Sequence, residues 1–237
     1  MTKPLLAILL LLLLVSGQAQ SLLVDDDDDV ITLRANRTVL RLAKFECEPA
    51  GHMVQIEVSG EIGPDTTFLI QELLADYPPA KTHDCKLQHS HEKKPRKLPS
   101  GGVILWLSSS GGYLRDGIEL GRLARSLGAT TIASGSCSSS CAIAFLGGRE
   151  RAIFTNSSLM FHAPYTRSDK DPNKITCSKN LTNVANYYRE MLGEKRGERM
   201  LDRTKRYCSA TDGWIISDQN AAKLYGLHTT TVFDPSR

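Results

Sequence analysis

Short apolar runs alternate with helical patterns in the middle of this 237-residue chain. Val103–Leu107 is an apolar run of strand type, and the serine-rich segment after it ends in two adjacent glycines. A helical pattern continues to Gly128, Thr130–Ala133 then has the composition of a second strand, and residues 142–146 are apolar throughout. Strand, helix, strand and helix in this order predict βαβ units. The expected fold is therefore α/β, with a mostly parallel sheet and flanking helices.

The regions on either side of this pattern complete the predicted organisation. Val54–Val58 alternates as a strand, and apolar residues at helical spacing over 66–75 end before two adjacent prolines. Residues 80–100 are rich in lysine and are expected to form a polar, basic insertion. Residues 20–50 contain five consecutive aspartates and are predicted to be a solvated, mobile, acidic lead-in. The domain itself is expected to cover residues 51–237.

Composition excludes several classes of protein. The chain has 29 Lys and Arg against 26 Asp and Glu, and 41% of its residues are hydrophobic, which is ordinary for a globular protein. A disordered chain, a collagen-like repeat and a coiled coil are therefore excluded. The formal net charge of +3 is too small for a dedicated nucleic-acid binder, so no nucleic-acid partner is expected.

The first 19 residues have the pattern of a secretory signal peptide. Lys3 precedes an unbroken apolar run of 11 residues, Leu5–Val15, and small residues at Gly17 and Ala19 follow at cleavage spacing. The run is shorter than the roughly 20 apolar residues of a membrane span. We therefore expect cleavage after residue 19 and a periplasmic or secreted protein. The alternative is an uncleaved signal anchor, which would tether the protein to the membrane.

Cysteine usage agrees with export. All six cysteines lie after residue 19, and an even number in an oxidising compartment indicates disulfides. We expect Cys47 to pair with Cys85, and Cys177 to pair with Cys208, each closing an irregular segment. The remaining two cysteines bracket three serines at 138–140. A redox or metal pair is the alternative there, but the spacing is not CxxC and no histidine lies nearby.

Residues with catalytic chemistry lie where predicted strands end. Serine-rich segments occupy 108–112 and 134–141, and the apolar strand before Ala163 ends in His162. Sites in open α/β sheets form outside the carboxyl ends of the strands. A serine at the start of a helix has N–H groups directed at developing negative charge. A serine after one strand and a histidine after the next can act as nucleophile and general base.

Four ordered sequence blocks resemble the ClpP/crotonase superfamily, which includes the Clp protease proteolytic subunit and signal peptide peptidase A. The blocks span most of the chain after the signal peptide and are VQIEVSGEI at 54–62, ILWLSSSGG at 104–112, FTNSSLMFHAP at 154–164 and AAKLYGL at 221–227. The CSSSC pattern at 137–141 is similar to exported members of the superfamily. The resemblance implies a fold of repeated ββα units and association into a homo-oligomer.

The same resemblance implies a catalytic pair. The catalytic histidine of the family matches His162. The nucleophile of the family precedes the glycine that closes its helix by nine residues, and Gly148 then points to Ser139. Ser138 and Ser140 remain the alternatives for the nucleophile.

The resemblance also implies an oxyanion hole made of backbone N–H groups. The donors would be the amide of Ser140 and that of Gly111 or Gly112. Such donors need a fixed backbone rather than a particular side chain. Ser110 replaces the proline that the family has in this turn, which would loosen the turn.

A third catalytic residue is implied less directly. Asp212 is the nearest match to the aspartate of the family, although its spacing is one residue longer. Asp202 and Asp218 are the other candidates, and Asp218 also suits the N-cap of the helix after it. Some Ser/His sites orient the imidazole with a carbonyl or a water molecule, so the mechanism does not depend on this assignment.

The insertion at 80–100 contains a group of metal-ligand residues, which are His83, Cys85, His89 and His91. Zinc or copper binding is one interpretation. We favour a flexible basic insertion whose cysteine is oxidised, and we expect no metal site.

The sequence therefore predicts an exported serine hydrolase, a peptidase that acts through an acyl-enzyme without ATP. No cofactor is expected, the substrate would be a peptide or an unfolded protein, and no ATPase partner is expected outside the cytoplasm. The first alternative is a non-catalytic binding protein that keeps the fold and the cleft. The second is an acyl-CoA enzyme, which is disfavoured because CoA is not expected outside the cytoplasm.

Overall fold

The computed structural model describes residues 23–27, 30–35, 37–48, 52–79, 86–87, 102–171, 173–217 and 219–229. The strands in these ranges are β1 (Leu23–Asp27), β2 (Val30–Ala35), β3 (Thr38–Glu48), β4 (His52–Ile62), β5 (Lys86–Leu87), β6 (Val103–Gly112), β7 (Thr130–Ser138), β8 (Glu150–Ile153), β9 (Ser158–Phe161), β10 (Tyr165–Arg167), β11 (Ile175–Cys177) and β12 (Trp214–Ile216). The helices are α1 (Pro64–Asp76), α2 (Leu114–Ser126), α3 (Ser140–Phe145), α4 (Thr182–Leu192), α5 (Glu194–Thr204) and α6 (Gln219–Leu224).

One mixed sheet forms the centre of the fold. Its strands follow the order β1-β2-β3-β4-β6-β7-β9-β12, with β5 beside β3 and β8 beside β7. The pairs β4–β6, β6–β7, β7–β8 and β7–β9 are parallel, whereas β1 to β4 and the pair β9–β12 are antiparallel. The predicted α/β class, with a parallel centre and flanking helices, is confirmed.

The predicted βαβ rhythm corresponds to β6, α2, β7 and α3. In the parallel register, Ser109 of β6 lies opposite Cys137 of β7, and Ser138 of β7 lies opposite Met160 of β9. The carboxyl ends of these three strands therefore meet at one edge of the sheet. The segments after them are the ones in which the sequence concentrates serine, glycine and histidine.

Helix α3 is fixed between α2, α4 and β7 by close contacts. A Cβ atom at Gly121 of α2 would lie 1.8 Å from the Tyr187 hydroxyl oxygen, so a side chain at this position would collide with it. That hydroxyl donates a hydrogen bond of 2.9 Å to the carbonyl of Ile143 in α3. Burial raises the pKa of Tyr187 well above its ordinary value, so the hydroxyl keeps its proton and can donate. The Thr131 hydroxyl of β7 donates to the Phe145 carbonyl at 2.7 Å, which anchors the other end of the helix.

The N-terminal strands differ from the sequence prediction. Residues 20–50 were expected to be a mobile, acidic lead-in, but β2 and β3 lie within this range and belong to the sheet. Ile31, Leu33, Leu40 and Leu42 alternate with less buried residues and are at most 6% exposed in the core. Alternation of this kind covers one face of an antiparallel pair. The sheet therefore begins before residue 51.

One predicted disulfide is confirmed, since Cys177 and Cys208 are bonded with their Cα atoms 5.8 Å apart. A second disulfide joins Cys137 to Cys141, with a Cα separation of 5.2 Å. The predicted Cys47–Cys85 pair lies outside the described side chains. The signal peptide at 1–19 and the group of metal-ligand residues within 80–100 also lie outside the described residues.

Among the residues that are described, none of the helices has the length and apolarity to cross a membrane.

The burial of β3 generates a prediction. Leu40→Ala removes a side chain that is 0% exposed and should lower the free energy of unfolding by about 2–5 kcal/mol. Arg41→Ala is the matched control, because the Arg41 side chain is 53% exposed and its contact with Glu57 is a surface ion pair. Denaturant unfolding of the purified variants measures both values. Equal stability of the two variants would contradict the placement of β3 in the core.

Candidate active site

A cavity of about 860 Å³ opens at the edge where β6, β7 and β9 end. Predicted site residues from separate parts of the chain line it together. They are Gly111, Gly112, Ser139, Ser140 and His162. The structure therefore places the predicted nucleophile, base and oxyanion donors around one space.

Ser139 occupies the turn between β7 and α3. Its φ of 56° and ψ of −121° are rare for a residue with a side chain, and such conformations cost on the order of 1–3 kcal/mol. Hydrogen bonds on both sides hold the turn, because its N–H donates to the Met160 carbonyl at 2.9 Å and its carbonyl accepts from the Ile143 N–H at 3.0 Å. Strained backbone of this kind is found at functional sites whose surroundings maintain it. The turn leaves Ser139 half-buried at the cavity wall.

The neighbouring serines are placed differently. Ser138 is 7% exposed, and its hydroxyl lies 3.2 Å from that of Ser136. Ser140 is 2% exposed, and its hydroxyl has no hydrogen-bond partner among the described residues. A Cβ at Gly117 of α2 would lie 2.7 Å from the Ser140 Cβ, so the Ser140 side chain lies against α2. Of the three candidates, Ser139 is the one that combines partial exposure, the strained turn and a place on the cavity wall.

His162 follows β9, and its imidazole also lines the cavity. Its Nδ1 lies 2.9 Å from the carbonyl oxygen of Ala163. Since a carbonyl can only accept, this hydrogen bond requires a proton on Nδ1 and leaves the lone pair of Nε2 free. The ring also packs on Tyr165, with a centroid separation of 5.4 Å. The described hydrogen bonds do not include one between the side chains of Ser139 and His162; such catalytic hydrogen bonds are often long without substrate.

The structure does not bring Asp212 to His162. Asp212 is exposed, its carboxylate accepts from the Gly213 N–H at 2.8 Å, and its own N–H donates to the Ser209 hydroxyl at 2.9 Å. These contacts make it part of a turn, and it makes no hydrogen bond or ion pair with His162 in the part of the chain that is described. Asp202 is exposed and pairs with Lys205 at 2.6 Å. Asp218 lies outside the described residues.

The two glycines that end β6 both line the cavity. The Gly111 N–H donates to the Ser109 hydroxyl at 3.0 Å. The Tyr113 N–H donates to Ile62 of β4 at 3.0 Å. Gly112 lies opposite Ile62 of β4 and also lines the cavity.

Gly111 itself lies directly behind the turn at Ser139. A Cβ at this position would lie 2.7 Å from the Ser139 Cβ and 2.8 Å from the Ser138 carbonyl oxygen, and its φ is +110°. Glycine is therefore required here by both space and backbone conformation.

The Ser140 N–H, as the first amide of α3, has no acceptor within the helix.

Two parts of the cavity wall were missed by the sequence analysis. The hairpin of β10 and β11 carries Tyr165 and Arg167 to the opening, and Cys177 at its end is bonded to Cys208. The Ala163 carbonyl at the imidazole was also not predicted. The Cys177 pairing was a usable signal for the hairpin. No sequence signal marks the carbonyl, because every residue carries one.

Part of the cavity lining is apolar. Phe161, Ile143 and Val184 contribute to it together with Tyr188 of α4. Burial raises the pKa of Tyr188 well above its ordinary value, so this residue contributes a neutral ring. Within the described residues, no group of three or more histidines, cysteines and carboxylates is arranged to hold a metal ion.

Comparisons with known proteins give structural similarity only. No family model matches the chain, and no curated protein matches it. Solved structures similar to it include ClpP1 from Listeria monocytogenes, with 17% identity and a TM-score of 0.48 over 73% of this chain and 88% of that one. A point mutant of the same ClpP1 gives 15% identity and a TM-score of 0.47, with the same coverage. Similarity at this level assigns neither a family nor an activity.

The close approach of Gly111 to the turn at Ser139 generates a prediction. Gly111→Ala should lower the free energy of unfolding by about 1–3 kcal/mol, because the added methyl group meets backbone and Ser139. Gly63→Ala is the control, since its φ is −126° and a Cβ there has nothing within 4 Å. Its effect should stay within about 1 kcal/mol. Thermal or denaturant unfolding measures both, and equal effects would contradict the contact.

Proposed function

We propose that this protein is a serine hydrolase, and specifically a peptidase, with Ser139 as nucleophile and His162 as general base. The observation that carries the proposal is the turn at Ser139. It holds a partly exposed serine, in a strained backbone, on the wall of the same cavity that His162, Gly111 and Gly112 line. The four sequence blocks that resemble the ClpP/crotonase superfamily support the same assignment.

The Ala163 carbonyl gives His162 the tautomer that a general base requires. With Nδ1–H donated to the carbonyl, Nε2 accepts the proton of the Ser139 hydroxyl as Oγ attacks the substrate carbonyl. The same carbonyl stabilises the imidazolium that forms. Nε2 then returns the proton to the leaving amine, and an acyl-enzyme remains. A water molecule, deprotonated by Nε2, releases the acid and regenerates Ser139. This arrangement does not need Asp212.

The oxyanion of the tetrahedral intermediate would accept from two amides. The Ser140 N–H is the first of α3 and has no helical partner, and the second donor would be the N–H of Gly112, which lines the same cavity. Gly111 is excluded from this role because its N–H donates to Ser109. Fixed amides of this kind typically contribute 10²–10³-fold to the rate.

The apolar side chains of Ile143, Phe161 and Val184 in the cavity lining support a peptide substrate with an apolar side chain near the scissile bond. Export is part of the proposal and rests on the signal peptide pattern and on the two disulfides, which form in oxidising compartments. A homo-oligomer, the absence of an ATPase partner and catalysis without a cofactor are further proposals from the sequence.

A non-catalytic binding protein is the second candidate function. Two observations favour it: the hydrogen bonds of the described residues do not include a Ser139–His162 pair, and Asp212 does not reach the imidazole. A binding protein would keep the cavity and leave Ser139 unreactive.

A fluorophosphonate probe distinguishes the two functions. We expect stoichiometric labelling of Ser139 in the purified protein, mapped by peptide mass spectrometry. Ser139→Ala should abolish labelling, and His162→Ala should slow it by about 10²-fold or more, because the general base is lost. Ser138→Ala is the matched neighbour control and should keep the label.

Asp212→Ala distinguishes a Ser139–His162 pair supported by the Ala163 carbonyl from a triad that includes Asp212. Its labelling rate should stay within about threefold of the wild-type rate, because the carboxylate contacts a turn and not the imidazole. A loss as large as that of His162→Ala would show that Asp212 acts on the histidine. An unlabelled but folded wild-type protein would favour the binding protein.

A further inference from the structure

The disulfide between Cys137 and Cys141 encloses the nucleophile turn. Cys137 is the residue before the last of β7, and Cys141 is the second residue of α3. Both are 0% exposed, and their Cα atoms are 5.2 Å apart. Ser139 lies at the centre of the five-residue ring that this bond closes.

The two sides of the turn are held by different interactions. On the strand side, Cys137 lies opposite Ser109 of β6 and Leu159 of β9, so it is paired on both sides within the sheet. On the helix side, α3 has only six residues, and helices of this length are not stable on their own. The disulfide therefore links the start of a short helix to a central strand of the sheet.

The residue between these anchors is the one whose backbone most needs restraint. Ser139 is held at φ 56° by hydrogen bonds to Met160 and from Ile143, and Ile143 is itself a residue of the short helix. A small rotation of α3 would move both the Ser139 hydroxyl and the Ser140 N–H. Misplacement by about 1 Å is enough to slow a positioned reaction by as much as 10²-fold.

We infer that the Cys137–Cys141 disulfide is a positioning element of the active site, which holds the Ser139 hydroxyl and the Ser140 N–H in register for attack. The inference rests on the proposed function. The disulfide should affect the rate of the chemical step. It should not affect substrate contact, because both sulfurs are buried in the core behind the turn.

A purely stabilising role predicts a different pattern. A disulfide restrains the unfolded chain more when it closes a longer loop. The bond between Cys177 and Cys208 spans 31 residues, whereas that between Cys137 and Cys141 spans four. As a stability device, the short bond is the weaker of the two. Removal of the short bond should therefore have the smaller effect on the melting temperature and the larger effect on reactivity.

The test compares Cys137→Ala/Cys141→Ala with the matched pair Cys177→Ala/Cys208→Ala. The probe is a fluorophosphonate, and the concentration dependence of labelling separates the maximal rate of inactivation from the half-saturating concentration. We expect the first variant to lose about tenfold or more of the maximal rate with little change in half-saturation. The second should keep the maximal rate within about threefold and show the larger fall in melting temperature.

Reduced wild-type protein gives a second measurement if the first variant does not fold. The protein is treated with tris(2-carboxyethyl)phosphine, the freed thiols are counted by alkylation and mass spectrometry, and the circular dichroism spectrum is checked. The maximal labelling rate should fall on loss of the Cys137–Cys141 bond and return on reoxidation. If the loss is purely structural, the circular dichroism spectrum should change together with the labelling rate, and the effect should not be confined to the maximal rate.

The possible outcomes separate the two proposals. If the folded wild-type protein does not react, the hydrolase function fails and the positioning role fails with it. If the wild-type protein reacts and Ser139 is labelled equally fast without the Cys137–Cys141 bond, the positioning role alone is rejected. If both cysteine pairs lower the maximal rate equally, the effect is general and the positioning role is again rejected.

Discussion

The candidate site depends on the short transition from strand β7 to helix α3. The chain must leave a central parallel strand and begin a helix within one residue, and that residue is Ser139 with a positive φ. The strand is fixed by neighbours on both sides, and the helix is fixed by α2, α4 and β7. The conformation of Ser139 is therefore imposed by its surroundings, which is the general condition for a strained residue to persist in a folded protein.

Close packing of α3 depends on the absence of side chains around it. Gly117 and Gly121 of α2 leave room for Ser140 and the Tyr187 hydroxyl, and Gly147 lets the chain pass the Gly121 carbonyl. Gly111 does the same on the strand side, behind Ser139. Space, more than conformational freedom, explains Gly117, Gly121 and Gly147. The serine is positioned by neighbours that are small enough to approach it.

Much of this arrangement could be predicted from the sequence. The apolar runs and helical patterns between residues 103 and 146 predicted the βαβ order, and the rule that sites form at the carboxyl ends of parallel strands grouped the serine-rich segments with His162. The choice of Ser139 among three serines came from the resemblance to the ClpP/crotonase superfamily. The strands β2 and β3 were missed because five consecutive aspartates at 25–29 give this region the composition of a solvated segment. The alternation of Ile31, Leu33, Leu40 and Leu42 was present in the sequence, and it is the same period-two signal that identified β4.

The partner of His162 could not be predicted in this way. An aspartate is a distinct residue type that can be matched to the sequence pattern of a family, and Asp212 was proposed in this way. A backbone carbonyl is present at every position, and only the path of the chain after β9 directs that of Ala163 back to the imidazole. The same limit applies to β10 and β11, whose few residues have little periodicity. Contacts made by the backbone depend on the tertiary fold, so local patterns do not reveal them.

The cysteines connect the proposed site with the proposed compartment. A disulfide in the core beside the nucleophile would form only after the chain reaches an oxidising environment, because cytosolic thiols are kept reduced. If the bond positions Ser139, the hydrolase becomes fully competent after export and stays slow before it. A peptidase that needs no ATP-driven partner to select its substrates gains from such a delay, because unfolded chains are abundant where it is made. Export and catalysis would then depend on the same pair of buried sulfur atoms.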